Sequence, residues 1–232
     1  MYKACIFDLD GTLTDTLESL TYSVNATLRE LDLPAITSEQ CKSFVGSGAR
    51  FLIERALQAS GDEKLVRIEE AMKIYGRIFK VNCTYHVAPY EGIVDMLKAL
   101  KDAGVKLAVL SNKPHLQTVD VVAEFFEEGM FTHVQGQQEG IPRKPDPTAA
   151  LLIAEKLCVD SSECVYIGDS DVDMQTGNAA GMETVGVSWG FRPKEMLIEH
   201  GAKHTIDHPE ELISIVKKCS GGRLCTHMMK NV

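Results

Sequence analysis

The sequence predicts an α/β fold, a doubly wound parallel sheet of Rossmann-like type that carries an inserted block of α-helices. A short apolar run at residues 4–7 is typical of a strand that is buried on both faces. Residues 15–82 then show helical spacing and no strand pattern, and after Pro89 strands alternate with helices, as they do in parallel sheets. We therefore expect an α/β core formed by residues 1–14 and 83–232 and a helical insert formed by residues 15–82.

The insert is predicted from helical periodicity and from the residues that interrupt it. Apolar residues recur at helical spacing from Leu17 to Leu28 and predict a first helix that ends before Pro34. Further helices are predicted from residue 38, over residues 48–59 and over residues 63–80. The two linkers, near residues 13–16 and 82–90, lie side by side and predict a hinge that would let the insert act as a lid.

The rest of the core is predicted from its alternating periods. Strands are expected over residues 106–110, 132–135, 164–167 and 184–187. Helices are expected over residues 91–103, 115–127, 148–157, 174–180 and 210–218.

Composition and charge exclude several classes of partner. The chain has 232 residues, a formal net charge of −9 and no local basic patch, so we expect no nucleic-acid binding. It has no apolar run of about 18 residues and no basic-plus-apolar leader, so we expect neither membrane insertion nor a signal peptide. We expect a monomer or a weak homodimer in the cytoplasm.

The cysteines indicate reduced thiols. They number seven and are scattered without the spacing of a disulfide framework, which also favours a cytoplasmic protein. Cys219, Cys225 and His227 fit no zinc-binding spacing, so we interpret the segment from Cys219 to Val232 as a loose terminus of undefined role.

Acidic and polar residues follow the predicted strands, where parallel sheets collect their chemistry. Asp8 and Asp10 come directly after the first strand, and two acids so close repel each other unless a cation or a shared proton relieves them. The other candidates, each near a strand end, are Ser111, Asn112, Lys144, Asp169 and Asp173. Each has a simpler interpretation as a turn residue, helix cap or loop cation. Their joint occurrence in this order favours one shared site.

These side chains meet the requirements of phosphoryl transfer, which needs a nucleophile, an acid/base, cations and exclusion of water. A carboxylate can attack phosphorus and form an aspartyl-phosphate, which divides hydrolysis into two steps. Asp8, Asp10 and Asp169 offer oxygen ligands only, which suits Mg²⁺. Lys144 and the Ser111 hydroxyl can hold phosphate oxygens. We therefore expect Mg²⁺ as the cofactor and a small phosphorylated metabolite as the substrate.

The stretch Asp8-Leu-Asp10-Gly-Thr12 resembles DxDG[TV], the first motif of the haloacid dehalogenase superfamily of phosphotransferases. The run Gly168-Asp169-x-x-x-Asp173 is similar to the fourth motif of that superfamily. This implies that Asp169 is a direct Mg²⁺ ligand and that Asp173 is a ligand or supports one. The insert resembles the small helical cap of the superfamily's first cap class, and we call residues 15–82 the cap.

The resemblance also implies roles for the other matching residues. Asp8 would be the nucleophile and a metal ligand. Asp10 would protonate the leaving oxygen and then act as a base for water, with its backbone carbonyl on Mg²⁺. Ser111 would bind phosphate with Asn112 beside it in the substrate site, and Lys144 would supply the third-motif cation. Dehalogenases of the superfamily do not keep the second acid, so Asp10 points to phosphate chemistry.

Within the cap, Gly46 and Gly48 precede a helix and leave backbone N–H groups open at its N-terminus, which predicts an anion site. Arg50 adds a guanidinium suited to a carboxylate or phosphate, although a flexible helix entry with a surface arginine is an equal alternative. The pattern Val-Gly-x-Gly, together with Ser-Asn-Lys-Pro near residue 111, resembles bacterial phosphoglycolate phosphatases. The resemblance implies 2-phosphoglycolate as the substrate, with its carboxylate held by Arg50.

Two other functions stay open. A phosphosugar mutase similar to β-phosphoglucomutase would use the same residues but return the phosphoryl group to its product, and the difference depends on how well the closed lid excludes water. A phospho-receiver domain is the alternative from a different class. It is disfavoured because such domains have about half this length and would have no use for Lys144 or the cap.

Overall fold

A six-stranded parallel sheet forms the core of the computed structural model, which describes residues 1–218. The strands of the chain are β1 (Ala4–Phe7), β2 (Thr14–Asp15), β3 (Ala88–Pro89), β4 (Lys106–Pro114), β5 (His133–Gln137), β6 (Cys164–Gly168), β7 (Glu183–Val187) and β8 (His204–Ile206). The sheet has the order β5-β4-β1-β6-β7-β8, with every pair parallel. This is the strand order of a Rossmann sheet, and the predicted fold class is confirmed.

Apolar residues on both sides of β1 explain why the sheet is covered on both faces. Cys5 and Phe7 pack into one hydrophobic cluster, whereas Ala4 and Ile6 pack into another. Successive side chains of a strand point to opposite faces, so a strand that is apolar throughout requires helices on both sides. The helices of the described chain are α1 (Leu17–Glu30), α2 (Ser38–Phe44), α3 (Ala49–Ala59), α4 (Ile68–Asn82), α5 (Ile93–Asp102), α6 (His115–Phe125), α7 (Thr148–Lys156), α8 (Asp171–Ala179), α9 (Lys194–Glu199) and α10 (Glu211–Lys217).

The cap consists of α1 to α4, and the chain enters and leaves it through β2 and β3. These two short strands pair antiparallel, with Thr14 opposite Pro89 and Asp15 opposite Ala88. The two linkers therefore lie side by side, as a hinge requires. The division into a core of residues 1–14 and 83–232 and a cap of residues 15–82 remains a prediction.

Some element boundaries differ from the prediction for local reasons. Helix α4 begins at Ile68 instead of residue 63, because the Asp62 carboxylate accepts the backbone N–H groups of Val66 and Arg67 in a turn. Helix α8 begins three residues early, because Ser170 and Asp173 form a capping box at its start. The short elements α9 and β8 were not predicted.

Among the described residues, no helix is both long and apolar enough to cross a membrane. The predicted loose terminus, with Cys219, Cys225 and His227, lies outside the residues that the structure describes.

Candidate active site

The predicted site residues other than Arg50 meet at the carboxyl edge of the sheet, where the strand order reverses. Strand β1 lies between β4 and β6, so the chain that leaves β1 runs between the ends of both neighbours. Open α/β sheets bind their ligands in the crevice at this point. The predicted residues that line one pocket there are Asp8, Asp10, Gly46, Gly48, Ser111, Asn112 and Asp169. Lys144 and Asp173 are buried next to it.

Three buried carboxylates form an acidic cluster. Asp8, Asp169 and Asp173 each contribute one oxygen, and these oxygens lie within 4.8 Å of one another. Burial raises the pKa of Asp8 to about 7, with further increases from the charges of Asp173 and Asp10 and a partial offset from Lys144. Burial, and then the charges of Asp173 and Asp8, also raise the pKa of Asp169 well above its usual range. A cluster that lacks positive charge and offers only oxygen atoms as metal ligands fits Mg²⁺.

Lys144 lies between two of these acids. Its Nζ lies 2.7 Å from Asp173 Oδ1 and 2.9 Å from Asp8 Oδ1. The approach to Asp8 is an ion pair without hydrogen-bond geometry. Asp8 Oδ1 is therefore a buried oxygen that has no hydrogen-bond partner among the described residues. Burial lowers the pKa of Lys144, but the charges of Asp173 and Asp8 outweigh it and hold this pKa well above the usual value. The lysine is therefore a fixed positive charge beside Asp8.

Asp173 has no free carboxylate oxygen. While Oδ1 accepts from Lys144, Oδ2 accepts from the backbone N–H and the hydroxyl of Ser170. These bonds fix the carboxylate at the start of α8. Ser170 and Asp173 thus also form the N-terminal cap of this helix.

Asp169 is held against the turn that follows β1. Its Oδ1 accepts the Thr12 hydroxyl at 3.3 Å, and its Oδ2 accepts the backbone N–H of Phe191 at 2.7 Å. Gly11 has a φ of +85°, and a Cβ there would collide with the Asp169 carboxylate. The glycine of the first motif therefore serves both the turn and the close approach of the two strand ends.

Ser111 and Asn112 lie near the end of β4 but face different surroundings. Ser111 is buried at the pocket, and its hydroxyl oxygen accepts the backbone N–H of Lys113 at 3.3 Å. The Asn112 amide is used internally, because its Oδ1 accepts the Lys144 N–H at 3.0 Å and its Nδ2 donates to the carbonyls of Lys144 and Gly46. Asn112 thus connects β4, the Lys144 loop and the cap.

The sequence profile described as haloacid dehalogenase-like hydrolase matches residues 5–187. The chain belongs to this family. The hydrolase is similar to phosphoglycolate phosphatase of Colwellia psychrerythraea, with 30% identity over 222 residues that cover 93% of this chain and 97% of that one. It is also similar to N-acetylmuramic acid 6-phosphate phosphatase of Pseudomonas aeruginosa, with 29% identity over 218 residues that cover 93% and 95% of the two chains.

A solved structure gives the same classification. The crystal structure of a candidate phosphoglycolate phosphatase from Lactobacillus delbrueckii subsp. bulgaricus superposes with a TM-score of 0.86 at 34% identity and covers 93% of this chain and 98% of that one. The prediction of a haloacid dehalogenase-type phosphatase is confirmed at the level of family and enzyme class.

The cap of this hydrolase reaches the pocket through the loop between α2 and α3. Gly46 and Gly48 line the pocket, and the φ of Gly48 is +92°. Three core side chains hold backbone carbonyls of this loop and of the end of α2. Asn112 donates to Gly46 O at 2.9 Å and Arg143 to Ser47 O at 3.4 Å. Arg192 donates to the carbonyls of Lys42, Ser43 and Val45.

Arg50 is not where the sequence analysis expected it. Its guanidinium pairs with Glu54 at 3.0 Å and with Glu69 at 2.9 Å, and its side chain is 47% exposed. It does not line the pocket. Glu54 is one helical turn further along α3, so an ordinary i,i+4 pair draws the arginine to the outer face of the cap. The expectation that Arg50 contacts the substrate is corrected, and the alternative of a surface arginine describes its position.

Lys113, Arg192, Tyr75 and Phe79 are among the pocket residues that sequence reasoning missed. Lys113 lies near the end of β4 with its Nζ 2.7 Å from Asp10 Oδ1, and Arg192 follows β7. Tyr75 and Phe79 reach the pocket from α4. The signal for Lys113 was present, because a lysine directly after Ser111 and Asn112 stands in a predicted site. Tyr75 and Phe79 gave no signal, because aromatic residues four apart on a helix are ordinary core residues.

Proposed function

We propose that this phosphatase hydrolyses a small phosphate monoester through a covalent phosphate on Asp8, with 2-phosphoglycolate as the best candidate substrate. The observation that carries the proposal is the position of Asp8. It lies between the fixed charge of Lys144, 2.9 Å away, and a pocket that also contains Asp10. The substrate assignment is supported by the curated relatives at about 30% identity that are named phosphoglycolate phosphatase.

In the proposed reaction, an oxygen of Asp8 attacks phosphorus while the bond to the ester oxygen breaks. Asp10 gives its proton to that leaving oxygen, then takes a proton from the water that attacks the aspartyl-phosphate and releases inorganic phosphate. Lys144 offsets the negative charge that gathers between the carboxylate and the phosphate. The Ser111 hydroxyl, at the pocket wall, donates to a phosphate oxygen.

Mg²⁺ fits the same set of residues. Asp8 and Asp169 would hold it with their carboxylates and Asp10 with its backbone carbonyl, while Asp173 orients Lys144 and balances the cluster. When bound, the ion neutralises part of the charge on the acids and on the phosphate so that the two anions can approach. The raised pKa values of Asp8 and Asp169 support this assignment, since both carboxylates lack sufficient positive charge without it.

The cap is proposed to close the pocket during the reaction. Apolar residues on the cap side, including Leu20, Val45 and Leu52, line the pocket above Asp8 and Asp10. They would exclude bulk water from the phosphate, and the paired linkers β2 and β3 would provide the hinge. The small pocket favours a short ester over a large one.

The test is phosphate release in the presence of Mg²⁺ across a panel of small phosphate esters that includes 2-phosphoglycolate. We expect a clear preference for 2-phosphoglycolate, and no turnover by the folded Asp8→Asn variant. Full activity of Asp8→Asn would disprove the mechanism. Slow and equal hydrolysis of every ester would reject 2-phosphoglycolate, and isomerisation of a sugar phosphate without phosphate release would identify a mutase.

A further inference from the structure

Lys113 places a buried ammonium group at the wall of the candidate active site. Its side chain is 1% exposed, and its Nζ lies 2.7 Å from Asp10 Oδ1 and 4.9 Å from the centroid of the Phe79 ring. An ammonium has three N–H donors. Within residues 1–218, Asp10 is the one acceptor that bonds to it, so donors remain for a ligand in the pocket.

A second polar group without a partner faces the same pocket from the cap. Tyr75 on α4 is 2% exposed and lines the pocket, and its hydroxyl has no hydrogen-bond partner among the described residues. Its ring stacks on Phe79 with the centroids 5.0 Å apart, which fixes its direction. Burial raises the pKa of Tyr75 well above its usual value, and the charge of Asp10 adds to this effect, so the phenol lies within electrostatic reach of Asp10.

The other cations near the pocket are already engaged. Arg192 lines the pocket, but its guanidinium donates to three backbone carbonyls of the cap. Lys144 is held between Asp8 and Asp173. No charged side chain of the cap lines the pocket in the described chain. A negative group on the substrate other than the reacting phosphate would therefore find its charge partner at Lys113.

We propose that Lys113 and the Tyr75 hydroxyl form a subsite for a carboxylate carried by the leaving group of the phosphate ester. This inference deepens the proposed function and rests on it. Asp10 is the proposed donor to the leaving oxygen, and Lys113 is hydrogen-bonded to Asp10. The carboxylate would therefore lie close to the ester oxygen, as it does in a short-chain acid that carries the phosphate on its α-hydroxyl. In this proposal the second anion is recognised by Lys113 and Tyr75, and not by Arg50.

Lys113 belongs to the core and Tyr75 to the cap, so the subsite is complete only when the cap is closed on the core. Binding of the carboxylate would favour the closed position and link recognition of the leaving group to exclusion of water. An ester with an uncharged leaving group would leave the ammonium without its additional partner.

The experiment compares 2-phosphoglycolate with 2-hydroxyethyl phosphate, which replaces the carboxylate by an uncharged hydroxymethyl group. For Lys113→Met we expect kcat/KM to fall by about tenfold to a hundredfold more for 2-phosphoglycolate than for the uncharged ester, the usual range for loss of a charge-assisted hydrogen bond. Tyr75→Phe, which keeps the ring, should give a smaller loss in the same direction. An equal loss on both esters would mean that Lys113 only positions Asp10 and would overturn the inference.

Arg50→Met is the matched control, because it removes the same charge from a position outside the pocket. We expect it to leave the ratio of the two kcat/KM values unchanged. If Lys113→Met does not fold, the same ratio measured for Tyr75→Phe decides the question. A wild-type enzyme that hydrolyses neither ester contradicts the proposed substrate class, whereas one that hydrolyses both equally well retains phosphatase function and overturns the subsite.

Discussion

Asn112 and Lys144 are hydrogen-bonded to each other in both directions. The Lys144 backbone N–H donates to Asn112 Oδ1 at 3.0 Å, and Asn112 Nδ2 donates back to the Lys144 carbonyl at 3.1 Å. The same Nδ2 also donates to Gly46 O of the cap at 2.9 Å. One amide therefore fixes the loop that presents the lysine and contacts the loop that covers the pocket.

Replacing Asn112 with Ala should reduce both stability and catalysis. Two buried backbone groups of Lys144 would lose their partners, and we expect the free energy of unfolding to fall by about 2–4 kcal/mol. The ammonium would also lose its fixed position beside Asp8, so kcat should fall. Thermal unfolding and steady-state kinetics measure the two effects.

Asn178→Ala provides the control for Asn112→Ala. Asn178 likewise donates to a backbone carbonyl, that of Gly201 at 2.9 Å, but it lies on α8 away from the pocket. It should lower stability without lowering kcat. An Asn112→Ala enzyme with unchanged kcat would show that Asn112 does not position Lys144.

Gly11→Ala should disrupt the acidic cluster. The residue has a φ of +85°, and the new Cβ would collide with the Asp169 carboxylate, so that carboxylate must move. We expect weaker Mg²⁺ binding, measured by calorimetry, together with a lower melting temperature. Gly61→Ala is a matched control, because Gly61 has a φ of +102° and no atom within 4 Å of its Cβ position. This variant introduces the backbone strain of about 1–3 kcal/mol without a collision. An equal loss of Mg²⁺ affinity in both variants would refute the argument.

Mg²⁺ should stabilise the protein through the carboxylates of the cluster. Saturation at about a hundred times Kd adds about 2.7 kcal/mol, which corresponds to a rise in melting temperature of roughly 5–10 °C for a chain of this size. Asp169→Asn should remove most of this rise, as followed by thermal unfolding with Mg²⁺ and with EDTA. Asp171→Asn, two residues further along, should retain it, because Asp171 is not part of the acidic cluster. Loss of the rise in Asp171→Asn alone would relocate the metal site.

The arrangement of the site could be predicted because it depends on the sheet. Asp8, Ser111 and Asp169 lie close together since β1, β4 and β6 are adjacent parallel strands, and their carboxyl ends must share one edge. A strand that ends in polar residues is visible in sequence. The position of each candidate near this edge therefore follows from periodicity and motif alone.

The cap side of the site could not be predicted in the same way. Whether Arg50 points to the pocket or to Glu54 depends on the rotation of α3 about its axis and on Glu69 of α4, which is distant in sequence. Tyr75 and Phe79 become pocket residues only because α4 packs over the end of β4, where Lys113 lies. These are tertiary facts that a helical pattern does not contain.

Asp8 should contribute a decrease in the stability of the metal-free protein between pH 4 and pH 7. Its pKa is raised from 3.8 to about 7 on folding, so in this range the folded state binds more protons than the unfolded state. Stability then falls as pH rises, by the linkage relation. Asp8→Asn removes this titrating group and should reduce the slope of stability against pH, while Asp169, whose pKa is also raised, retains a part of it. Urea unfolding in EDTA across the range measures both slopes. An unchanged slope in Asp8→Asn would mean that other groups account for it.

Arg192→Lys should loosen the cap without removing a positive charge. The guanidinium donates from the core to the carbonyls of Lys42 at 2.7 Å and Val45 at 2.6 Å, and an ammonium cannot reproduce this planar fork. Loss of one charge-assisted hydrogen bond corresponds to about tenfold more frequent opening, so hydrogen exchange of the amides at residues 46–48 should accelerate by at least that factor. Arg55 contacts the carbonyls of Ser43 and Phe44, at the end of α2 before the loop, from within the cap. If the loop opens as part of a moving cap, Arg55→Lys should leave the exchange of these amides nearly unchanged, because its bonds travel with the cap. Equal acceleration in both variants would indicate local fraying of the loop and would contradict a latch between core and cap.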